Sequence, residues 1–212
     1  MIIVSLSDQR IYGEVVDLVI SRYRLRQCRA YPHSVIHSTD EHREVVRLIQ
    51  DELNETRLAD RILEATRTRW LMRSSLHLRA ARPNVDGQES VTWHRESFYG
   101  CPANTMNVWM PVLNCTEENS IKYVPGSESI PNEMIKVVSE DDPEINKNSD
   151  GSKIGLLYAP KTIVDGVDFS QAKTMTVPCG MVAIFSGQTI HGAAVNETDS
   201  IRFSIDFRFL PK

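Results

Sequence analysis

The sequence lacks the features that mark membrane-spanning and secreted chains. No stretch approaches the run of about 20 consecutive apolar residues that a membrane-spanning helix needs. Residues 1–8 (MIIVSLSD) have neither the basic start nor the long apolar segment of a secretory signal. We therefore expect a protein that is neither inserted in a membrane nor secreted.

An excess of positive charge is also missing. The net charge is -4 at pH 7 and the isoelectric point is near 5.9, so the chain has no broad basic surface of the kind that binds nucleic acid regardless of sequence. We expect small molecules rather than nucleic acid as partners. The sequence leaves the oligomeric state open, a homodimer included.

The four cysteines lack the close spacing of a metal-binding or redox motif. Cys28, Cys101, Cys115 and Cys179 are far apart and form no C-x-x-C pair. This pattern is typical of reduced thiols in a cytoplasmic protein, and we expect neither disulfides nor a structural zinc site.

The chain has the length of a single domain, and its hydrophobic pattern changes from helical to β-type near residue 70. With 212 residues, 41% of them hydrophobic, it can form a single domain with a full core. Residues 1–69 are predicted to be a helical support. The first predicted helix covers residues 13–25, and the second begins at a capping box, Ser38-x-x-Glu41, and runs towards residue 53. Helical spacing then continues to about residue 66. From residue 70 onward, short β-type runs separated by turns predict a sandwich, barrel or jelly roll, with a mobile loop over 138–152. The predicted strands are 70–80, 89–97, 105–113, 120–125, 154–158, 174–177, 181–186, 189–194 and 201–209.

Two His-x-Glu triplets are candidate chelating pairs, and their predicted secondary structure distinguishes them. His42 and Glu44 fall in a predicted helix, where residues two apart point in different directions. His94 and Glu96 fall in a predicted strand, where residues two apart project from the same face. We therefore discard the first pair as a solvated helix face and keep the second as two metal ligands.

A third ligand is expected at His191, which follows a buried strand and a glycine-containing turn. The polar turn 196–199 predicts that residues 201–209 fold back antiparallel to 189–194, which places Arg202 and Ser204 close to His191. Two histidines and one carboxylate form a facial triad that leaves about three positions of octahedral Fe(II) open. A guanidinium beside it is shaped to hold a carboxylate bidentately.

The remaining histidines are weaker candidates. His33 and His37 are four apart, but Pro32 and the β-branched residues between them argue against a helix that would align them. His77 shares a predicted strand face with Arg73, Ser75 and Arg79, where it either lines a pocket or is a structural, hydrogen-bonded histidine.

Four segments in order resemble the phytanoyl-CoA dioxygenase-like branch of the Fe(II)/2-oxoglutarate-dependent oxygenases. "HRE" (94–96) resembles the family's H-x-D/E motif, and "MNVWMPVLNCTEENSIKYVPGSE" (106–128) resembles its strand, acidic turn and "PGS" stretch. His191 resembles its distal histidine, and "RFS" (202–204) its R-x-S motif. The resemblance covers roughly residues 70–210 and implies a mainly β protein with N-terminal helices around a double-stranded β-helix (jelly roll, cupin-like) core.

The resemblance also implies roles for individual residues. His94, Glu96 and His191 would bind Fe(II), Arg202 and Ser204 would hold the far carboxylate of 2-oxoglutarate, and Asn107 and Trp109 would line the same pocket. The implied reaction couples oxidative decarboxylation of 2-oxoglutarate, giving succinate and CO2, to oxidation of an unactivated C–H bond by O2. Hydroxylation is the expected outcome. Halogenation is disfavoured because the family's halogenases replace the metal-binding carboxylate with a small residue.

Two departures from the family pattern concern the carboxylate and the substrate side. Glu96 stands where aspartate is more usual, and "PGSE" (125–128) has glutamate where histidine is frequent. The chain is also short for the branch and is more similar to small members from carbohydrate and antibiotic biosynthesis than to acyl-CoA enzymes. Arginines cluster before the first motif, and among them we favour Arg73 and Arg79, with His77, as contacts to a substrate of the sugar or nucleotide-sugar type.

Two other functions fit parts of the sequence. A cupin-like metal-dependent sugar isomerase or epimerase would use His94 and His191, but it gives no role to Arg202 with Ser204. A non-catalytic carbohydrate-binding sandwich would stack aromatic side chains on sugar rings. Its candidate residues are Trp93, Phe98, Tyr99 and Trp109.

Overall fold

The computed structural model describes residues 1–5, 9–22, 43–44, 46–51, 60, 63–64, 67, 69–72, 76–81, 83, 93–138, 162–192 and 195–211. Its helix and strands are α1 (Gln9–Arg22), β1 (Ile2–Ser5), β2 (Trp70–Met72), β3 (His77–Ala81), β4 (Met106–Leu113), β5 (Lys122–Tyr123), β6 (Lys136–Val138), β7 (Thr162–Asp165), β8 (Lys173–Thr174), β9 (Met181–Ser186), β10 (His191–Gly192) and β11 (Arg202–Pro211). Residues 43–44, 46–51, 60 and 63–64 are also helical. Among these residues no helix is long and apolar enough to cross a membrane.

The strands form antiparallel sheets, as the predicted jelly-roll fold requires. A six-stranded sheet has the order β1-β9-β4-β11-β2, with β3 also paired to β11, and a three-stranded sheet has the order β10-β5-β8. Strands β6 and β7 form a separate hairpin-like pair. The mainly β fold with few helices is thereby confirmed.

The two faces of the large sheet have different functions because side chains alternate along each strand. On β11, Phe203, Ile205, Phe207 and Phe209 point into a core that is also filled by alternate residues of β4 and β9. Helix α1 covers this face: Val15 is fully buried in the core, and the Tyr12 hydroxyl donates to the carbonyl of Val112 over 2.9 Å. Each fully buried aromatic side chain contributes about 1.5–3 kcal/mol through removal from water.

The opposite face of the large sheet is turned towards the small sheet. Trp109 and Phe185 from the large sheet pack there with Ile121 and Met175, and Tyr123 of β5 packs against this cluster. The polar residues of β11, which alternate with its phenylalanines, also lie on this inward face. The apolar residues hold the two sheets together, and the polar ones are left to build a site.

Several boundaries differ from the sequence predictions. Residues 2–5 form an edge strand of the large sheet, so the first 69 residues are not all helical support, and β6 and β7 were not predicted. Helix α1 begins four residues before the predicted start, at Gln9. The single strand predicted over 70–80 is replaced by two strands, β2 and β3. The predicted strand 154–158 and residues 139–152 of the predicted loop lie outside the described residues.

Candidate metal centre and active site

His94 and His191 lie opposite each other across an isolated antiparallel bridge. The backbone N–H of His94 donates to the carbonyl of His191 over 2.9 Å, and that of His191 donates back over 3.0 Å. The two imidazole rings are consequently side by side, with centroids 4.2 Å apart. Pairing of two distant segments thus brings these two predicted ligands together.

Glu96 joins the two histidines by a route that differs from the prediction. The predicted strand 89–97 is wrong at this end, because Glu96 begins a short 3₁₀ helix, Glu96–Tyr99, that closes on Gly100 in the left-handed conformation at φ 76°. Arg95 is extended, with φ -131° and ψ 152°. One extended residue is enough to place His94 and Glu96 on the same side, so the chelating pair forms without a continuous strand.

The three side chains form a compact and buried group. Oε1 of Glu96 lies 3.7 Å from Nε2 of His94 and 3.6 Å from Nε2 of His191. One ligand atom from each residue lies within 4.8 Å of the others, and all three residues are less than 9% exposed. Two imidazole nitrogens and one carboxylate oxygen are the donor set that non-haem Fe(II) takes in a facial triad, so the group fits the metal.

The tautomer of His191 suits a metal ligand. Its Nδ1 lies 2.9 Å from the carbonyl oxygen of Thr189 and can only donate to it, so Nε2 carries no proton when the ring is neutral. Burial lowers the pKa of His191 to about 4, with a further lowering from His94. The ring is therefore neutral at pH 7, with Nε2 free to ligate and turned towards Glu96.

Arg95, between the two ligands, points away from the group and fixes its backbone. Its guanidinium is 1% exposed and donates to the carbonyls of Ser127 and Ile130 and to the side chain of Asn132, at 2.6–2.9 Å. Arg95 points to the other side because side chains alternate along an extended segment. It ties the segment carrying two ligands to the segment after the "PGS" stretch.

The "PGS" stretch has a structural role behind the site. The hydroxyl of Ser127 donates to the carbonyl of Val124 over 2.7 Å and accepts the backbone N–H of Ile190 over 2.8 Å. Ile190 immediately precedes His191, so this buried serine holds the start of β10 in place. Glu128, where the family pattern often has histidine, is exposed.

A residue that sequence reasoning missed, Arg208, contacts the carboxylate. Its Nη2 lies 2.6 Å from Oε2 of Glu96, and its Nε donates to the same oxygen over 2.7 Å. Burial alone would raise the pKa of Glu96, but His94, Arg208 and His191 together hold it well below its usual range. The signal was present in the sequence, because the alternation that singled out Arg202 and Ser204 continues through Asp206 to Arg208.

Arg202 and Ser204 lie on the same inward face of β11 with unused hydrogen-bonding capacity. Arg202 is 4% exposed and donates one Nη1 bond to the carbonyl of Asn119, while its Nε has no partner among the described residues. The fully buried hydroxyl of Ser204 and Oδ1 of Asn107 are unpaired within the same part of the chain. Buried donors without partners are costly, so an orphaned guanidinium N–H and hydroxyl fit a site for a carboxylate ligand.

The strand pairing that was predicted to bring Arg202 and Ser204 close to His191 was wrong. Residues 201–209 were expected to pair with 189–194 in a hairpin, but β10 pairs with β5 in the small sheet, and β11 pairs with β2, β3 and β4 in the large one. Arg202 therefore approaches the site from the facing sheet. A turn at 196–199 can reverse the chain into either sheet, and local sequence does not distinguish the two.

The other predicted site residues have polar or apolar partners of their own where the structure describes them. Asn107 donates to Oε1 of Glu96 over 3.3 Å, and Trp109 is buried in the apolar cluster between the sheets. Arg79 pairs with Asp206, with Nε 2.7 Å from Oδ1, and His77 is the cross-strand neighbour of Asp206. Arg73 lies outside the described residues, as do His33, His37 and His42.

The aromatic residues considered for sugar stacking are largely packing residues where they are described. Trp93 lies with its ring centroid 5.0 Å from that of Phe169, and both pack with Phe98 against a buried cluster around Ile163. Trp109 is 3% exposed. This packing gives no support to a carbohydrate-binding sandwich.

Solved structures with the same fold include oxygenases. ThoJ, a non-heme monooxygenase in its apo form, has a TM-score of 0.64 at 13% identity, covering 100% of this chain and 73% of that chain. EvdO2 from Micromonospora carbonacea var. aurantiaca has a TM-score of 0.63 at 18% identity, covering 99% and 86%. SnoN, a non-heme alpha ketoglutarate dependent epimerase from nogalamycin biosynthesis, has a TM-score of 0.54 at 15% identity, covering 98% and 77%. At these identities the likeness establishes the fold.

The family is established by the sequence itself. No curated protein matches the chain. The sequence model of the phytanoyl-CoA dioxygenase family (PhyH) matches residues 28–204, which is most of the chain and includes the candidate metal ligands and both Arg202 and Ser204. This chain therefore belongs to the phytanoyl-CoA dioxygenase family and is a non-haem enzyme that depends on Fe(II) and 2-oxoglutarate.

Proposed function

We propose that His94, Glu96 and His191 hold the Fe(II), and that Arg202 with Ser204 binds the distal carboxylate of 2-oxoglutarate. The observation that carries this assignment is the inward face of β11. At one end of that face Arg208 contacts Glu96 of the metal group, and at the other Arg202 and Ser204 present buried donors without partners. A ligand with one metal-binding end and one carboxylate end fits between them.

Each residue has a separate task in the reaction. When bound, the metal and 2-oxoglutarate together supply the oxidation of a substrate C–H bond by O2, with release of succinate and CO2. His191 offers its Nε2, since its Nδ1–H is engaged by Thr189, and His94 offers a second imidazole nitrogen beside it. Arg202 and Ser204 orient the co-substrate, and the burial of the group keeps bulk water away from the reacting atoms.

We infer that the substrate is a small polar molecule of the sugar or nucleotide-sugar type, which the enzyme hydroxylates or otherwise oxidises. Polar side chains extend the inward face sideways from β11 onto β3: His77, and the Arg79–Asp206 pair, whose side chains are 32% and 24% exposed. The Arg79–Asp206 pair offers guanidinium donors and carboxylate acceptors to hydroxyl groups rather than a free positive charge to an anion.

An anaerobic titration tests the assignment of the cofactor residues. Adding 2-oxoglutarate to protein loaded with Fe(II) should produce the weak visible charge-transfer band of the keto-acid chelate. Arg202→Ala should weaken 2-oxoglutarate binding about 30-fold or more, because charge-assisted hydrogen bonds to a buried carboxylate are lost. Arg47→Gln is a matched control, since Arg47 binds the carboxylates of Glu44 and Asp51 in an exposed helix. Unchanged 2-oxoglutarate affinity in Arg202→Ala would remove the main support for this role.

A metal-dependent sugar isomerase or epimerase that needs no co-substrate is the second candidate function. The closely placed and buried His94 and His191 would suit it, but the free donors of Arg202 and Ser204 would then have no ligand. Such an enzyme would exchange substrate protons with solvent in the absence of O2 and 2-oxoglutarate. Screening polar metabolites for substrate-stimulated succinate release distinguishes the two and narrows the substrate.

We also propose that the protein is cytoplasmic. Among the described residues, Cys101, Cys115 and Cys179 form no disulfides, and cysteines remain reduced in the cytosol. Measuring the thiol content of the protein isolated under alkylating conditions tests this.

A further inference from the structure

Glu96 is held from two neighbouring strands of the large sheet. Asn107 on β4 and Arg208 on β11 are cross-strand partners, so their side chains project side by side from the inward face. Asn107 donates to Oε1 of Glu96 over 3.3 Å, and Arg208 donates to Oε2 through both Nε and Nη2. Neither contact follows from the position of Glu96 in its own segment.

The two oxygens of the carboxylate therefore have different surroundings. Oε1 lies 3.6–3.7 Å from the Nε2 atoms of both histidines. Oε2 is turned to Arg208 at 2.6–2.7 Å, and the thiol of Cys101 is 3.9 Å from it. The arginine occupies the oxygen that would otherwise be available as a second ligand atom.

This asymmetry matters because the ligand is a glutamate. Its side chain has one more rotatable bond than aspartate, and an unrestrained carboxylate can bind a metal through one oxygen or two. One oxygen and two histidine nitrogens leave about three octahedral positions open, and a bidentate keto acid takes two of them. A second carboxylate oxygen on the metal would use the position that remains.

We propose that Arg208 is a positioning residue that holds Oε2 of Glu96 away from the metal, so that the glutamate ligates through Oε1 alone. Asn107, across the strand pair, steadies Oε1. The inference rests on the proposed assignment of Glu96 as an iron ligand. This role explains why an arginine six residues after Arg202 is nearly buried, with its side chain only 12% exposed.

Binding of Co(II) to the metal-free protein tests this role without measuring turnover. Arg208→Gln removes the charge and the two-point contact, whereas Arg208→Lys keeps the charge but cannot reproduce the planar fork. Since outer partners of metal ligands are commonly worth 10–100-fold in metal affinity, we expect Co(II) binding to weaken about 10–100-fold in Arg208→Gln and by a smaller factor in Arg208→Lys. In a Glu96→Gln background, Arg208→Gln should have no further effect. Arg47→Gln should bind Co(II) like the wild-type protein.

Two results would overturn the inference. Unchanged Co(II) affinity in Arg208→Gln would mean that the contact of Arg208 with Oε2 does not position Glu96. Wild-type affinity in Arg208→Lys would mean that its charge suffices without orientation, and this variant carries the test if Arg208→Gln does not fold. Failure of the proposed function looks different, because the wild-type protein itself would then show no charge-transfer band with Fe(II) and 2-oxoglutarate.

Discussion

The polar residues on the inward face of β11 differ in how their charges are balanced. Arg208 is paired with Glu96, and Asp206 with Arg79. Arg202 donates to a backbone carbonyl, and no carboxylate contact is present for it in the part of the chain that the structure describes. Of these side chains, Arg202 is thus the one suited to an external anion. In the proposed assignment, β11 contacts both Glu96 and the co-substrate.

The pH dependence of stability should reveal the burial of His77 beside this face. Burial lowers the pKa of His77, although Asp206 acts in the opposite direction. As the pH falls below about 6.5, the unfolded chain takes up a proton at this position while the folded protein does not, so stability decreases. We expect the free energy of unfolding in urea to fall less between pH 7.5 and 5.5 in His77→Gln than in the wild-type protein. Equal losses in the two proteins would show that His77 does not contribute.

At the scale of elements, the turn between β9 and β10 fixes the positions of two candidate ligands, Glu96 and His191. The carbonyl of Gly187 accepts the backbone N–H of Glu96 over 2.8 Å, and the turn leads through Thr189 to His191. A Cβ at Gly187 would lie 3.1 Å from the carbonyl oxygen of Thr105 and 3.3 Å from Cβ of Glu96. The absence of a side chain there lets the turn pack directly on the glutamate.

A pair of alanine substitutions tests this packing. Gly187→Ala should destabilise the protein by about 1–3 kcal/mol, as overpacking does, and weaken Co(II) binding because Glu96 is displaced. Gly13→Ala is the matched control: Gly13 lies in α1 with no atom within 4 Å of the added Cβ, so it should stabilise by about 0.5–1 kcal/mol through helix propensity. Urea unfolding and Co(II) titration measure both. Gly187→Ala with wild-type stability and affinity would show that the turn adjusts freely.

At the scale of the whole molecule, the site joins two sheets. His191 belongs to the small sheet, Asn107, Arg202 and Arg208 belong to the large one, and Glu96 begins a 3₁₀ helix between them. A ligand that contacts both sheets binds the folded state only, and it must therefore stabilise the whole domain.

Thermal unfolding should report this linkage. A metal at about 100 times its Kd adds about 2.7 kcal/mol, which in a protein of this size raises Tm by about 5–10 °C. 2-Oxoglutarate should raise Tm further in the wild-type protein, whereas Arg202→Ala should keep the increase from the metal and lose the one from 2-oxoglutarate. A chelator should reverse both increases. A Tm that does not respond to Co(II) would contradict a metal site between the sheets.

Much of the site could be predicted because alternation along a strand is visible in the sequence. In β11, Phe203, Ile205 and Phe207 mark the core face, so the intervening Arg202 and Ser204 had to face the other way. His94 and Glu96 were identified by the same rule, and one extended residue at Arg95 proved enough to satisfy it. The sequence determined which residues share a face, because that depends only on local backbone geometry.

The tertiary structure decided which faces meet. Neither the pairing of β10 with β5 nor that of β1 with β9 is encoded in a turn, since each joins segments that are distant in the chain. The contact of Arg208 with Glu96 likewise requires β11 and the 3₁₀ helix, which are far apart in the sequence, to lie next to each other in the fold. Sequence periodicity thus determined that His94 and Glu96 share one side and that Arg202 and Ser204 face inward. Long-range strand pairing decided how Glu96 is held, because side-chain contacts across a fold depend on the partner of each strand.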